Sequence, residues 1–263
     1  MKIDRVTLTG ADDSTDVAEL FRISEKYPFV EWGILFSKSA CGKKTRYPSK
    51  EWLFDLEQKL ISSDKDFNVN LSGHICGRWI RDICKGDWSD FINEREGIIR
   101  SLRRFQLNFS SYVKSIDETL FINELKVVNL WRYRFAHLSD LVSSIEDKEL
   151  NNHFQFIFQL KDINEPILSA ARSNGIDAVP LFDLSGGAGT LPDEWPEARD
   201  FYCGYAGGLS PDNLEEQLKL IEKSVGDRTI WIDAETHVRS DNDKIFDLEK
   251  VERFLEIAKP YTE

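Results

Sequence analysis

The sequence predicts a (β/α)₈ barrel, in which eight parallel strands form a closed sheet surrounded by helices. Eight short runs rich in apolar, β-branched and aromatic residues occur along the 263 residues, and helical patterns follow most of them. Strands that alternate with helices are typical of parallel βαβ units. Eight such units close a barrel, and barrels of this kind have about 250 residues.

The predicted strands and the clearest helices alternate along the chain. The strands are, in chain order, RVTLTG, FVEWGILFS, FNVNLSG, RFQLNFS, HFQFIFQ, AVPLFDLSGG, FYCGYAGG and TIWIDAE. Apolar residues at helical spacing predict helices over residues 14–27, 49–61 and 211–225. The first helix begins at a serine or aspartate cap, and the third has serine and proline at its cap and first turn.

Residues 112–150 are the least regular part of the pattern. The run LFINELKVVNLWRYRFAHLSDLV contains enough apolar residues for another strand and a helix. A strand here would remove FNVNLSG or RFQLNFS from the set of eight. Because no low-complexity tract or linker divides the chain, we predict one domain over residues 1–263.

The composition indicates a folded, acidic protein. Hydrophobic residues make up 41% of the chain and charged residues 30%, enough apolar material for a large core. The formal net charge of −12 repels phosphate backbones, and the basic cluster of Lys43, Lys44 and Arg46 is small. We therefore predict neither nucleic-acid nor membrane binding.

The amino terminus and the cysteines also restrict the class of protein. The amino terminus lacks the apolar core of a signal peptide, and no apolar run is long enough to cross a bilayer, so a cytoplasmic location is expected. The four cysteines lack the paired spacing of a zinc site or a disulfide framework. No cofactor is predicted.

Two glycine-rich strand ends follow each other in the C-terminal third. One strand ends in FDLSGGAGT and the next in GYAGGLSPDN, and WIDAE then precedes a final amphipathic helix. Over about residues 177–259 this pattern resembles phosphoribosylanthranilate isomerase, a (β/α)₈ enzyme of tryptophan synthesis. AGGLSPDN is similar to the family's GGL-(N/S)-P-(E/D)-N motif. The resemblance implies that Asp183 takes the place of the family's acid and Asp233 that of the aspartate on its eighth strand.

The rest of the chain resembles the family less. The resemblance implies substrate-binding places for Arg46, in a loop rich in lysine and arginine, and for Asn108, where the family usually has histidine. Thr9 stands where the family has its catalytic cysteine, and a hydroxyl is no base at neutral pH without an activating partner. Glu235 stands in the eighth loop, where the family has small residues that help to bind phosphate. We therefore expect a reaction other than the family's own isomerisation.

Three carboxylates are the candidate catalytic groups. Trp231, Asp233 and Glu235 alternate along the last strand, so they share one face of it. If that face is the lumen, Asp233 and Glu235 meet Asp183 at the barrel mouth. Closely spaced carboxylates raise one another's pKa, which yields an acid and a base from the same chemistry. The alternative is an ion pair, for example with Arg46, that only stabilises the fold.

Glycines at the strand ends are candidate ligand-binding positions. Backbone amides that glycine leaves accessible at a helix N-terminus bind phosphate or carboxylate. The predicted substrate-binding residues are Arg46, Asn108, Gly187, Gly189, Gly207, Gly208 and Trp231.

Three functions are compatible with these residues. The first is an isomerase-like or lyase-like enzyme acting on a small sugar-derived metabolite, phosphorylated or not, with Asp183 as acid or base and with Asp233 and Glu235 in support. The second is a barrel that has lost the ancestral reaction and binds a metabolite or a protein partner. The third is metal-assisted hydrolysis, in which His74 and His237 join the carboxylates as ligands. Apart from that third function, no metal is predicted.

Overall fold

The chain folds into a closed barrel of eight parallel strands, which neighbour one another in chain order. The computed structural model describes residues 1–63, 69–109, 116–139, 154–160, 165–183 and 188–263, and for residues 130–139 it describes the helix without its side chains. The fold class predicted from the sequence is confirmed.

All eight predicted runs form barrel strands. Their bounds are β1 Lys2–Thr9, β2 Val30–Phe36, β3 Asn70–Ile75, β4 Arg104–Leu107, β5 Gln155–Gln159, β6 Ala178–Asp183, β7 Gly204–Ala206 and β8 Thr229–Ala234. Both FNVNLSG and RFQLNFS keep their strands, because residues 118–139 of the ambiguous middle segment form one long helix instead. After β8, the short strands β9 Arg239–Ser240 and β10 Ile245–Phe246 pair as an antiparallel hairpin.

Eight α-helices surround the barrel among the described residues. They are α1 Val17–Lys26, α2 Lys50–Ser62, α3 Gly77–Ile83, α4 Ser89–Ile99, α5 Glu118–Ser139, α6 Glu165–Ser173, α7 Leu214–Val225 and α8 Leu248–Ala258. The predicted cap of the first helix is present, since the side chain of Asp16 accepts a hydrogen bond from a backbone amide of the first turn. Ser49 caps the second helix in the same way. The third predicted helix begins three residues late, at Leu214, because Pro211 lies in the preceding turn. None of the described helices has the length and apolar character needed to cross a membrane.

The two faces of the sheet have different surroundings. One face packs under the helices in a large apolar core that contains, for example, Trp32, Phe105 and Phe156. The other face forms the lumen of the barrel. On the β5–β8 side the lumen is filled by a small separate cluster of buried residues, which are Ile157, Val179, Leu181, Ala206 and Trp231.

The β1–β4 side of the lumen is polar and is organised around Glu31, whose side chain is fully buried. Its carboxylate accepts hydrogen bonds from Arg104 Nη1 at 3.0 Å and from Arg5 Nη1 at 2.9 Å. Thr7 Oγ1 adds a third bond at 2.9 Å. Burial alone would raise the pKa of Glu31, but the charges of Arg104 and Arg5 bring it below its ordinary value.

The buried pair between Glu31 and Arg104 yields a stability prediction. Glu31→Gln leaves the guanidinium of Arg104 buried without its counter-charge, so the free energy of unfolding should fall by about 3–5 kcal/mol. Adding Arg104→Met should recover part of this loss, because it removes the uncompensated charge. Urea unfolding of the two single variants and the double variant measures both effects.

The exposed pair between Glu215 and Lys219 provides the matched control. Glu215→Gln should give no measurable change, because solvent screens this pair. If the double variant lost as much free energy of unfolding as the two single variants together, Glu31 and Arg104 would not be coupled.

Candidate functional site

A polar cavity opens at the carboxyl ends of the strands, where (β/α)₈ enzymes have their active sites. Its volume is about 560 Å³, and it is lined by the ends of β2 and of β4 to β8 together with residues that follow β2, β3, β4, β6, β7 and β8. The strand residues of its lining are Leu35, Gln106, Gln159, Leu181, Asp183, Ala206, Asp233 and Ala234. The strands of the barrel thus bring distant parts of the chain to one cavity.

The three predicted catalytic carboxylates all line this cavity. Asp183 is the last residue of β6, and its side chain accepts a hydrogen bond from Gln159 Nε2 at 3.2 Å. Asp233 lies inside β8, and Glu235 follows that strand directly. The alternation along β8 predicted from the sequence therefore puts Asp233 and Glu235 on the lumen side.

The environment of Asp233 favours its protonated form. Burial raises the pKa of this carboxyl well above its ordinary value, and the nearby charge of Glu235 raises it further. Thr9 donates a hydrogen bond from Oγ1 to Oδ1 of Asp233 at 3.1 Å, which opposes that shift in part. A buried carboxyl that keeps its proton can serve as a general acid.

His74 lies beside Asp233 and is also neutral. Its Nε2 is 4.0 Å from Oδ2 of Asp233, and its side chain is 1% exposed. Burial lowers the pKa of His74 to about 3, so the imidazole carries no charge at neutral pH. The contact joins two neutral groups, because burial disfavours the charged form of each.

Glu235 belongs to a network of charges across the mouth of the cavity. Arg46 donates from Nη1 to Glu235 at 2.6 Å and from Nε to Asp243 at 2.7 Å. Arg239 pairs with Asp243 at 2.8 Å and with Asp12 at 2.7 Å. Burial raises the pKa of Glu235, although its bond to Arg46 opposes the shift. Arg46 is in the cavity lining as predicted, but its guanidinium is held by carboxylates of the protein.

Gln106, which the sequence analysis did not single out, forms one wall of the cavity together with Cys76 and the predicted Asn108. Gln106 Nε2 donates to Asn108 Oδ1 at 3.0 Å, and Asn108 Nδ2 lies 3.0 Å from the sulfur of Cys76. Burial raises the pKa of Cys76 to about 12, so this wall presents a thiol and two amides rather than charges. Cys76 lies two positions after His74, and Gln106 lies two positions before Asn108. Because residues that face the lumen recur at every second position of a strand, this spacing was the signal that could have identified the wall.

The glycine loops line the cavity next to Asp183. Gly189, Gly207 and Gly208 have φ angles of 69°, 105° and 70°, and all three are in the lining. A side chain at position 208 would bring its Cβ within 2.4 Å of the backbone nitrogen of Leu191, so only glycine allows this approach. Gly187, which we also predicted to bind substrate, lies outside the described residues.

Trp231 does not reach the cavity, although its side chain faces the lumen. It is fully buried below the carboxylates. The guanidinium of Arg104 lies 4.2 Å from the centre of its ring, and the ring of Tyr202 packs against it at 4.8 Å. Trp231 lies two residues before Asp233 on β8 and therefore deeper in the barrel. It packs there, and the substrate-binding role predicted for it is wrong.

The proposed metal ligands are not assembled into a site. His74 lies inside the barrel, whereas His237 is exposed at the rim and places Nε2 2.7 Å from the carbonyl oxygen of Gly189. Within the described ranges of the chain, no group of three or more histidine, cysteine, aspartate or glutamate residues is arranged to hold a metal ion.

Comparison with known proteins gives similarity in structure only. No family model matches the chain, and no curated protein matches it. Similar solved structures include N-(5'-phosphoribosyl)anthranilate isomerase from Pyrococcus furiosus, with 14% identity and a TM-score of 0.49. A structure of monomers of the dimeric isomerase from Thermotoga maritima has 14% identity and a TM-score of 0.41.

A third similar structure is a phosphoribosylanthranilate isomerase in complex with reduced 1-(o-carboxyphenylamino)-1-deoxyribulose 5-phosphate, again with 14% identity and a TM-score of 0.41. Each of the three comparisons covers 97% of this chain and 98% of the other. All three are structures of the family that the C-terminal motifs resemble. At this identity the likeness concerns the barrel, which the closed eight-strand sheet establishes independently.

The neutral state of His74 predicts how stability depends on pH. The pKa of its side chain is about 3 in the folded protein, against an ordinary value of 6.5. Between these values the unfolded chain binds a proton that the folded chain does not, so the free energy of unfolding falls as the pH is lowered through this window. His74→Gln should make that part of the pH dependence shallower.

Urea unfolding at several pH values measures this effect. His237→Gln, which changes an exposed histidine at the rim, is the matched control. An identical slope in His74→Gln and the unchanged protein would show that His74 binds its proton as readily in the folded protein as in the unfolded chain.

Proposed function

We propose that the protein is an acid–base enzyme of the isomerase or lyase type that acts on a small, neutral, sugar-derived metabolite. The observation that carries the proposal is the meeting of Asp183 and Asp233 in one cavity, with Asp233 in surroundings that favour its protonated form. An acid and a base on one substrate are what proton transfer next to a carbonyl group requires.

The two carboxyl groups have complementary roles in this proposal. Asp183, oriented by the amide of Gln159, removes a proton from the carbon next to the carbonyl group of the substrate. Asp233 donates its proton to the carbonyl oxygen, which gives an enediol. Asp183 then returns its proton to the former carbonyl carbon, while Asp233 takes up the proton of the neighbouring hydroxyl group, which becomes the new carbonyl group. This completes an isomerisation, and both carboxyl groups recover their initial states. The amides of Gln106 and Asn108 suit hydroxyl groups of the substrate.

The charges of the cavity favour a neutral substrate over a phosphorylated one. Lys44 and Arg46 are the lysine and arginine of the described lining, and Arg46, the group expected to hold a phosphate, is paired with both Glu235 and Asp243. A phosphate dianion would have to displace these carboxylates and would still face their charge. The phosphoribosyl substrate of the similar isomerases is therefore not the substrate we propose.

Thr9 also supports a reaction different from that of the similar isomerases. Its hydroxyl proton is donated to Asp233, and its side chain has no exposed surface. Thr9 accordingly positions the acid and does not act as a base. Metal-assisted hydrolysis receives no support from the described residues, since they form no group of metal ligands.

Exchange of substrate protons with solvent tests the proposal. The protein is incubated in D₂O with a panel of aldoses and ketoses, each as the free sugar and as its phosphate ester, and loss of the proton next to the carbonyl group is followed by NMR. We expect exchange with a free sugar. Asp183→Asn should abolish it while thermal unfolding shows an intact fold, and Asp233→Asn should lower it by about 10²–10⁴-fold.

Asp212→Asn is the matched control, because Asp212 is an exposed aspartate paired with Arg253 outside the cavity. Unchanged exchange in Asp183→Asn, or exchange with phosphate esters alone, would contradict the proposal. A sugar that raises the melting temperature without any proton exchange would instead identify a binding protein that has lost catalysis.

A further inference from the structure

Four lumen side chains on two neighbouring strands form a square below the cavity, which we call the polar patch. Ser72 and His74 of β3 lie in register with Arg104 and Gln106 of β4. Their exposed fractions are 0%, 1%, 2% and 5%, respectively. The interior of a (β/α)₈ barrel is ordinarily filled by branched apolar side chains, so a square of four polar residues there requires an explanation.

Each residue of the polar patch has buried atoms without a hydrogen-bond partner among the described residues. These atoms are Oγ of Ser72, both ring nitrogens of His74, Nε and Nη2 of Arg104, and Oε1 of Gln106. Burial of a polar atom without a partner is unfavourable, and such atoms are rare in folded proteins. Their concentration on two paired strands indicates one common partner rather than four separate defects.

The polar patch is connected to the candidate site at two points. Gln106 lies in the lining of the cavity. His74 Nε2 is 4.0 Å from Oδ2 of Asp233, which is too long for a direct hydrogen bond and suits a contact through a bridging water. On the opposite side of the lumen, Nε1 of Trp231 is a further buried donor without a partner among the described residues.

A glycine on β2 allows the side chains of Thr9 and His74 to lie close to its backbone. A Cβ at position 33 would lie 3.0 Å from Nε2 of His74 and 2.1 Å from Oγ1 of Thr9. Any other residue at this position would therefore crowd the polar groups around Asp233. Gly33 therefore allows Thr9 and His74 to approach Asp233 together.

We propose that the polar patch is an internal hydration site, which binds a small cluster of ordered water molecules and extends from Gln106 at the cavity to the carboxyl group of Asp233. Within the part of the chain that the structure describes, Arg104 has free donors in the patch and Gln106 has a free acceptor. Water can accept hydrogen bonds from Arg104 and donate a hydrogen bond to Gln106. Glu31 already balances part of the charge of Arg104, so an ion is not required. This inference does not depend on the proposed enzymatic function.

The sign of a stability change tests the hydration site. If the patch binds water, Ser72→Ala and His74→Leu remove hydrogen bonds to that water, and each should lower the melting temperature. If the patch is dry, the same changes remove unsatisfied polar atoms and should leave the melting temperature unchanged or raise it. The comparison is made at about pH 8, where imidazole is neutral in both the folded and the unfolded chain.

Oxygen-17 relaxation dispersion of water gives the independent readout, because it detects long-lived internal water directly. The amplitude should fall in a Ser72→Ala/His74→Leu variant relative to the unchanged protein. Thr15→Val is the matched control, since Thr15 Oγ1 is a single buried hydroxyl without a partner among the described residues and lies on no barrel strand. An amplitude as high in the double variant as in the unchanged protein, or a melting temperature that is unchanged or raised in both single variants, would overturn the proposal.

Discussion

The buried charge of Glu31 is the constraint on which the interior of this barrel depends. A carboxylate without exposed surface is stable only when cations and hydrogen-bond donors surround it, and here Arg104, Arg5 and Thr7 do so. Arg104 reaches Glu31 across β3 and also stacks on Trp231 of β8. One side of the lumen is therefore polar, and the opposite side is apolar and closes around Trp231.

The chemistry of the mouth follows from this division. Close to the polar side, Asp233 is buried and has Thr9 and His74 as neighbours, which favours a neutral carboxyl group. Further out, Arg46 holds Glu235 at the rim. The cavity thus combines a protonated acid, a second aspartate at the end of β6, and a paired cation. This combination is the basis on which we propose proton transfer on an uncharged polar molecule.

The fold could be predicted from the sequence further than the site could. Eight apolar runs separated by helical patterns determine the barrel, and alternation along β8 places Asp233 and Glu235 correctly. The sequence does not show how deep a lumen residue lies, so Trp231 was expected at the cavity but packs beneath it. The partners of Arg46 could not be predicted either, because Asp243 comes from a hairpin nearly 200 residues away.

The protonation state of Asp233 is the most direct test of the account, and carbon-13 NMR of protein labelled at the side-chain carboxyl carbons of aspartate measures it. Asp233→Asn assigns the resonance. The structure predicts that this carboxyl keeps the chemical shift of its protonated form at pH values well above its ordinary pKa of 3.8. Exposed aspartates have already ionised at these pH values. Ionisation of Asp233 together with the exposed aspartates would contradict the acid role and the neutral pair with His74.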